Sequence, residues 1–375
     1  MEMSRRAFLQ KSLQGGILIF GASPLLSSCS GIRRPSGKSS KIPMEEIPEL
    51  DDQSIAILYY ASMAPSKHNA QPWFIKRISR FEWMIGADPE RRLPAGDPQN
   101  RELLLAIGAF AENLSVAAEA FGYSVQVELL ASKPTDEEIL KVVLKKENAV
   151  DYPLTRITSR CTIRNGLKQT EIKNLDIQKI SKSLWGGFFY FPPGSEHGKC
   201  LADWAVESFR DQTNREDAQK ELAKWIRFNK KEVKRHRDGL VLENREVTGY
   251  SSWYVRKFMG PKDVGKKQFR QRGIDSVAKM ARQGGGWMIV TSRGEKVADL
   301  IEAGRNFQKL FLLAKDYKIA IHPMTQMLEE EKWRNEIGKQ HGTKMIPQFA
   351  LRVGYVDKYP EPTTLRRPVS WFVKV

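Results

Sequence analysis

The stretch Ala64-Pro65-Ser66-Lys67-His68-Asn69-Ala70-Gln71-Pro72-Trp73-Phe74 decides how this chain is read. Upstream, Ile55, Leu58, Tyr59 and Met63 recur at helical spacing across Asp51 to Met63, and Pro65 disfavours helical geometry in the residue before it. The stretch therefore begins where a helix ends. Downstream, Trp73 to Lys76 reads as a short strand, and Phe81, Trp83 and Ile85 alternate as a second. A serine, two amides and an aromatic pair are thus gathered on one turn between a helix and a hairpin.

Further out, Glu102 to Phe121 is a long apolar helix closed by Gly122, followed by a strand at Val125, Val127 and Leu129. Thr135 and Glu138 form a capping-box pattern that predicts an amphipathic helix through Glu147. Trp287 to Thr291 reads as a buried strand, Gly294 to Lys318 as a second long helix, and Phe349, Leu351, Val353 and Tyr355 as an alternating strand. Aligning Gly108 with Gly304 lays GAFAENLSVAAEAFGYSV over GRNFQKLFLLAKDYKIAI, a weak internal repeat of a core helix. Between Gly186 and Gly286 lie two helical stretches, Leu201 to Phe209 and Glu221 to Lys234, and a basic, aromatic connection that reads as a covering insertion.

The chain has 375 residues and a formal charge of +17, from 61 lysines and arginines against 44 acids. Lys224 to Arg237 and Arg256 to Arg272 each hold seven basic residues and one acid. No helix-turn-helix, zinc-finger or aromatic-basic RNA motif accompanies this charge, so a solvated surface is a better reading than nucleic-acid binding. GxGxxG, the phosphate-loop pattern GxxxxGK[ST], HExxH and serine-elbow patterns are absent, which removes the usual nucleotide, metal and hydrolase classes.

The first 29 residues join a basic start to a short apolar core, Gly16 to Leu26, too short to span a bilayer. Ser4-Arg5-Arg6-Ala7-Phe8-Leu9 resembles a bacterial twin-arginine export signal. Leu26-Ser27-Ser28-Cys29 resembles a lipobox, with Cys29 the acylation site, and residues 30–46 form a linker. The expected location is the periplasm, free or lipid-anchored. Cys161 and Cys200 have no metal-ligand spacing and read as two separate thiols, although pairing in an oxidising compartment is open to them.

The Ala64–Trp73 segment closely resembles the flavin-lining motif of the nitroreductase family, with six identities at fixed spacing. Arg156-Ile157-Thr158-Ser159-Arg160 is similar to that family's phosphate-holding Arg-x-Ser/Thr-x-Arg/Lys pattern. In the family the phosphate pattern precedes the flavin-lining one; here it follows by about ninety residues. That order, with RRLPAGDPQNRELLLAIGA, PMTQ, LRVGY and LRRP, is similar to a fused, Acg-like subgroup, and the resemblance covers roughly Ile47 to the end.

The resemblance implies an α+β fold of two related halves, 47–150 and 151–375, imitating the family homodimer in a monomer, with a lid inserted at about 200–285. It implies one FMN, held by Pro65, Ser66, Lys67, Asn69 and Gln71 from the first half and by Arg156, Thr158 and Arg160 from the second. Pro323, Met324 and Thr325 would touch the ring, Arg366 and Arg367 would close on the phosphate, and Arg160 is also a candidate to stabilise the anionic reduced ring. No metal is implied. Two functions follow as expectations: ping-pong electron transfer from NAD(P)H or another donor to a nitroaromatic, quinone or similar acceptor, or FMN binding and sequestration with little turnover.

Overall fold

A computed structural model describes residues 45–184, 187–247, 249–340, 346–363 and 365–374. The signal, the lipobox and most of the linker, residues 1–44, lie outside the described residues, as does Thr364 of the C-terminal basic segment.

The elements run α1 (Asp52–Ala61), β1 (Trp73–Ser79), β2 (Glu82–Ala87), α2 (Arg101–Ala120), β3 (Tyr123–Leu129), β4 (Glu138–Lys146), α3 (Thr155–Ser159) and α4 (Asn174–Ser181). There follow β5 (Phe188–Phe191), α5 (Glu196–Asn214), α6 (Glu216–Trp225), α7 (Lys230–His236), α8 (Gly249–Phe258), α9 (Pro261–Val264) and α10 (Lys267–Ala281). The chain closes with β6 (Gly286–Ser292), α11 (Val297–Ala314), β7 (Ile319–Pro323), α12 (Gln326–Glu329), α13 (Glu331–Gln340), β8 (Ile346–Tyr355) and β9 (Val373–Lys374).

These strands form a sheet of order β3-β4-β2-β1-β9 and a second of order β5-β6-β8-β7. The first sheet packs one face inward: Trp73, Ile75, Trp83 and Ile85 join α2 in the main core, while Lys76 faces outward. The second is covered on both sides. Met288 and Val290 of β6 point to the main core beside α11, whereas Trp287 and Ile289 point to a second core built from Leu201 and Ala205 of α5 and Val277 and Met280 of α10. Period-two alternation thus assigns each face its own helical layer. α5 and α10 accordingly complete the second sheet's core, and both also reach the cavity described below, through Phe209, Gln212 and Thr213 and through Phe269, Arg270 and Gly273.

α2 and α11 lie against each other at the centre, and their glycines explain how close they come. A Cβ on Gly108 would sit 2.2 Å from the carbonyl oxygen of Ile301, and one on Gly304 would sit 2.1 Å from that of Leu105. The two positions matched by the internal repeat are therefore reciprocal points of closest backbone approach. α2 is the one helix among the described residues long and apolar enough to cross a membrane, and 83% of its most apolar window is buried in this core.

The segment 138–146, expected to be a helix, is a strand. Leu140, Val142 and Leu144 are buried in alternation, and β4 is hydrogen-bonded to β3 on one side and β2 on the other. The local capping signal was outweighed by two sheet partners: Asp136 caps the preceding turn instead, accepting from the amides of Ser132 at 2.8 Å and Lys133 at 2.9 Å. The long helix expected over Glu221 to Lys234 is two short ones, α6 and α7, with extended backbone at Ile226 and Asn229 between them. At the other end of the chain, β9 runs parallel to β1, pairing Val373 with Ile75, so the strand nearest the C-terminus completes the first sheet. Cys161 and Cys200 are separate thiols.

Candidate functional site

The turn after α1 is unusual backbone held in place by arginines. His68, Asn69 and Gln71 have φ of 51°, 55° and 52°, left-handed values that side chains other than glycine adopt rarely and that asparagine tolerates best. Such geometry persists only where surrounding bonds over-determine it. Ser66 Oγ accepts from Gln71 N at 2.9 Å. Gln71 Oε1 accepts from Arg367 N at 2.8 Å, and its amide nitrogen donates to the Arg237 carbonyl at 3.0 Å. Asn69 Oδ1 accepts from Arg366 Nη1 at 3.0 Å. Arg366 also donates to the carbonyls of Ser62, Met63 and Ala64 at 2.8, 3.2 and 3.1 Å, satisfying the acceptors that the end of α1 leaves open. Arg367 donates to the Gln71 and Trp73 carbonyls at 2.6 and 2.7 Å, and burial pushes its guanidinium down to about 9.

Beside this turn lies a cavity of about 390 Å³. Of the residues expected at a flavin site, Pro65, Ser66, Lys67, Asn69, Arg160, Pro323, Thr325 and Arg366 line it. The others lie elsewhere. Gln71 is fully buried in the ties just described. Arg156 turns away to pair with Asp316 at 2.8 Å over the ring of Tyr152. Thr158 is buried in its own helical turn, its hydroxyl donating to the Thr155 carbonyl at 3.4 Å. Met324 belongs to the second core, and Arg367 is held behind the turn. Asn69 and Gln71, expected as flavin-facing amides, serve mainly as connectors between the turn and the C-terminal segment.

The decisive juxtaposition is Arg160. It leaves α3, stacks over Phe311 at 4.7 Å and donates to the Met63 carbonyl at 3.1 Å, the same oxygen that Arg366 reaches. Arg160 and the Ala64–Trp73 motif therefore meet at one cavity wall.

Several lining groups escaped the sequence reading. Arg164 and Arg245 add positive charge around Glu246, whose carboxylate accepts from Arg164 N and from the Asn165 amide, each at 2.6 Å. Burial, then the neighbouring Arg164, push Arg245 down to about 9, which marks a wall where positive charge is in excess and an anion is favoured. The only sequence signal for Arg164 is its position four residues after Arg160; Arg245 had none. On the opposite side, Lys67 Nζ lies 2.6 Å from Glu329 and donates to the Gly96 carbonyl at 2.5 Å. Glu102 pairs with Arg101, which is itself anchored on Gln348 at 2.9 Å. Burial pushes Glu102 up to about 7, with Glu329 adding to the effect against Arg101. Burial alone would raise Glu329, but Lys67 and the Gln212 amide bring it below the usual carboxylate range. His68 is pushed down to about 3 by burial and then by Lys67, so its ring is neutral at ordinary pH.

Glu102 carries a pH prediction. Its folded value exceeds its unfolded one, so the folded state holds the extra proton and this group's contribution to stability is greatest below about pH 4.5. The contribution falls as pH rises towards about 7 and is level above it. The difference in unfolding free energy between wild type and Glu102→Gln, measured in urea from pH 5 to 8, is expected to move against the wild type as pH rises, and a flat difference contradicts the assignment.

A mononucleotide flavin fits this donor set. The volume lies in the range of small-molecule sites, about 300–1,000 Å³. Phe307 and Phe349, stacked at 4.0 Å, supply an aromatic wall. Arg160, Arg164 and Arg245 supply charge for a dianion, and the Ser66, Thr162 and Thr325 hydroxyls line the same space.

No family model matches the chain. A protein of Serratia sp. (strain ATCC 39006), named as a probable NAD(P)H nitroreductase, PigM, is 22% identical over 330 residues, 82% of this chain and 89% of that one. A Mycobacterium tuberculosis protein, Rv3131, likewise named an NAD(P)H nitroreductase, is 25% identical over 332 residues, 85% of this chain and 90% of that one. Among solved structures, the FMN-dependent nitroreductase NfnB from Mycobacterium smegmatis in complex with NADPH aligns with a TM-score of 0.35 and 13% identity, over 59% of this chain and 96% of that one. Along more than four fifths of its length, the chain is similar in sequence to proteins named as nitroreductases.

Proposed function

We propose that the protein is an FMN-binding oxidoreductase of nitroreductase type, taking electrons from NAD(P)H or another reduced donor and passing them, in ping-pong fashion, to a nitroaromatic, quinone or similar acceptor. The observation that carries this reading is the meeting of Arg160 with the Ala64–Trp73 turn at one cavity. The names of the relatives support the reaction class.

FMN, when bound, supplies the two-electron chemistry. The chain's own residues bind and orient. Arg160, Arg164 and Arg245 attract the phosphate, Ser66 offers its hydroxyl, and Glu102 is a buried carboxyl able to hold a proton near neutral pH. The reciprocal contact of Gly108 and Gly304 supports descent from a duplicated half, so that one chain performs the part of a homodimer. The segment Ser4–Leu9 supports export in the folded state, which allows the cofactor to be loaded first. A flavin-holding protein with little turnover is the second reading, favoured by the cluster of Phe228, Leu242, Val255 and Phe269 that covers the cavity.

Removing one charge-assisted contact costs about 1.5–3 kcal/mol, so Arg160→Ala is expected to weaken FMN binding roughly 10- to 100-fold in a fluorescence titration. Unchanged affinity refutes the phosphate assignment. Anaerobic bleaching by NADPH or NADH, followed by reoxidation with a nitroaromatic, selects the enzyme over the store; a flavin that stays oxidised selects the store.

A further inference from the structure

The second basic stretch, Arg256 to Arg272, plays no part in the flavin reading, and its structure suggests a partner. On α8, Val255 is 2% exposed and packs into the cluster with Phe228 and Phe269. Two residues to either side, Trp253 and Lys257 project about 160° away around the helix and are exposed. Trp253 is 47% and Phe258 56% exposed, their rings 5.7 Å apart, with Lys257 Nζ 5.1 Å from the first centroid and 5.4 Å from the second. Large aromatic surface is normally buried, so two neighbouring exposed rings on one short helix mark a contact surface.

The charge around the rings is mainly positive. Lys262, Lys266 and Lys267 are exposed on and beside α9. The nearby acids are mostly engaged: Glu243 is held by Arg256, Asp263 pairs with Lys266 at 2.6 Å, and Glu216 pairs with Arg270 at 2.5 Å. Aromatic rings flanked by lysines suit the interface of an anionic membrane, where the rings enter the headgroup layer and the ammonium groups meet phosphates. Nucleic acid fits the charge less well, since Trp253 and Phe258 meet edge to face at 81° and offer no flat platform for bases.

We infer that the outer face of α8 and α9 docks on an anionic lipid bilayer. The helix that presents the rings also contributes Val255 to the cavity wall, so docking places this cover against the membrane.

The test uses the full chain carrying Cys29→Ser, which prevents acylation there, in flotation with vesicles of phosphatidylcholine alone or mixed with phosphatidylglycerol. The protein is expected to float with the anionic vesicles and to be released by salt. Lysines at an anionic surface contribute about fivefold each, so Lys262→Ala with Lys266→Ala and Lys267→Ala is expected to weaken binding roughly 100-fold. Trp253→Ala with Phe258→Ala is expected to weaken it at least tenfold with an unchanged unfolding midpoint, and Trp253→Phe to abolish a vesicle-induced blue shift in emission. Equal binding to neutral vesicles, full binding by both sets of variants, or tighter binding to duplex DNA than to anionic vesicles would overturn the inference.

Discussion

Replacing Arg366 by alanine is expected to destabilise the protein by about 3 kcal/mol or more, because one side chain satisfies the carbonyls of Ser62, Met63 and Ala64 and braces Asn69. Met63 retains a donor in Arg160, but Ser62 and Ala64, which are 1% and 0% exposed, lose theirs. A buried acceptor without a partner costs about 1–3 kcal/mol, and the left-handed residues that follow lose part of the bracing that holds them. Relief of the buried guanidinium offsets some of this. Lysine is expected to restore little, since a single ammonium cannot span four acceptors on two segments. The measurement is the urea midpoint at unchanged slope. A shift equivalent to less than about 1 kcal/mol would mean that the turn does not depend on this residue.

The second large effect falls at the centre of the molecule. Gly304→Ala, like Gly108→Ala, places a methyl group about 2 Å from a backbone oxygen of the opposing helix, where only a main-chain shift can make room. Overpacking of well-ordered cores costs about 1–3 kcal/mol, and here the upper end or beyond is expected because α2 and α11 would have to separate along their shared face. Gly166→Ala is the informative contrast: its φ of +76° strains an alanine, but nothing lies within 4 Å, so its effect is expected to stay near 1 kcal/mol. Equal loss at the three positions, read from denaturant midpoints, would show that close approach is not what Gly108 and Gly304 provide.

Much of this architecture was legible in the residues. Pro65 announced the end of α1, the alternation at β2 and β8 gave strands, and the Gly108–Gly304 match identified the helices that touch. Local signals failed where tertiary partners decided. Thr135 and Glu138 carry a helix-start pattern, yet Leu140, Val142 and Leu144 fit the gap between β2 and β3. β9 is two residues long and exists because Val373 meets Ile75, which no periodicity encodes. At the site, the turn and Arg160 were readable as motifs, whereas Glu102, Arg164 and Arg245 became visible only when the fold brought them to one cavity. Arg156 shows the converse: a motif arginine whose nearest carboxylate, Asp316, holds it elsewhere.

The central claim is that residues from both halves form one binding site for one flavin mononucleotide, and the visible absorption spectrum of the purified full-length protein tests it most directly. Bound-flavin bands, with FMN released on denaturation at one per chain, are the predicted result. A colourless protein that takes up no FMN on reconstitution, although folded by circular dichroism, would contradict it.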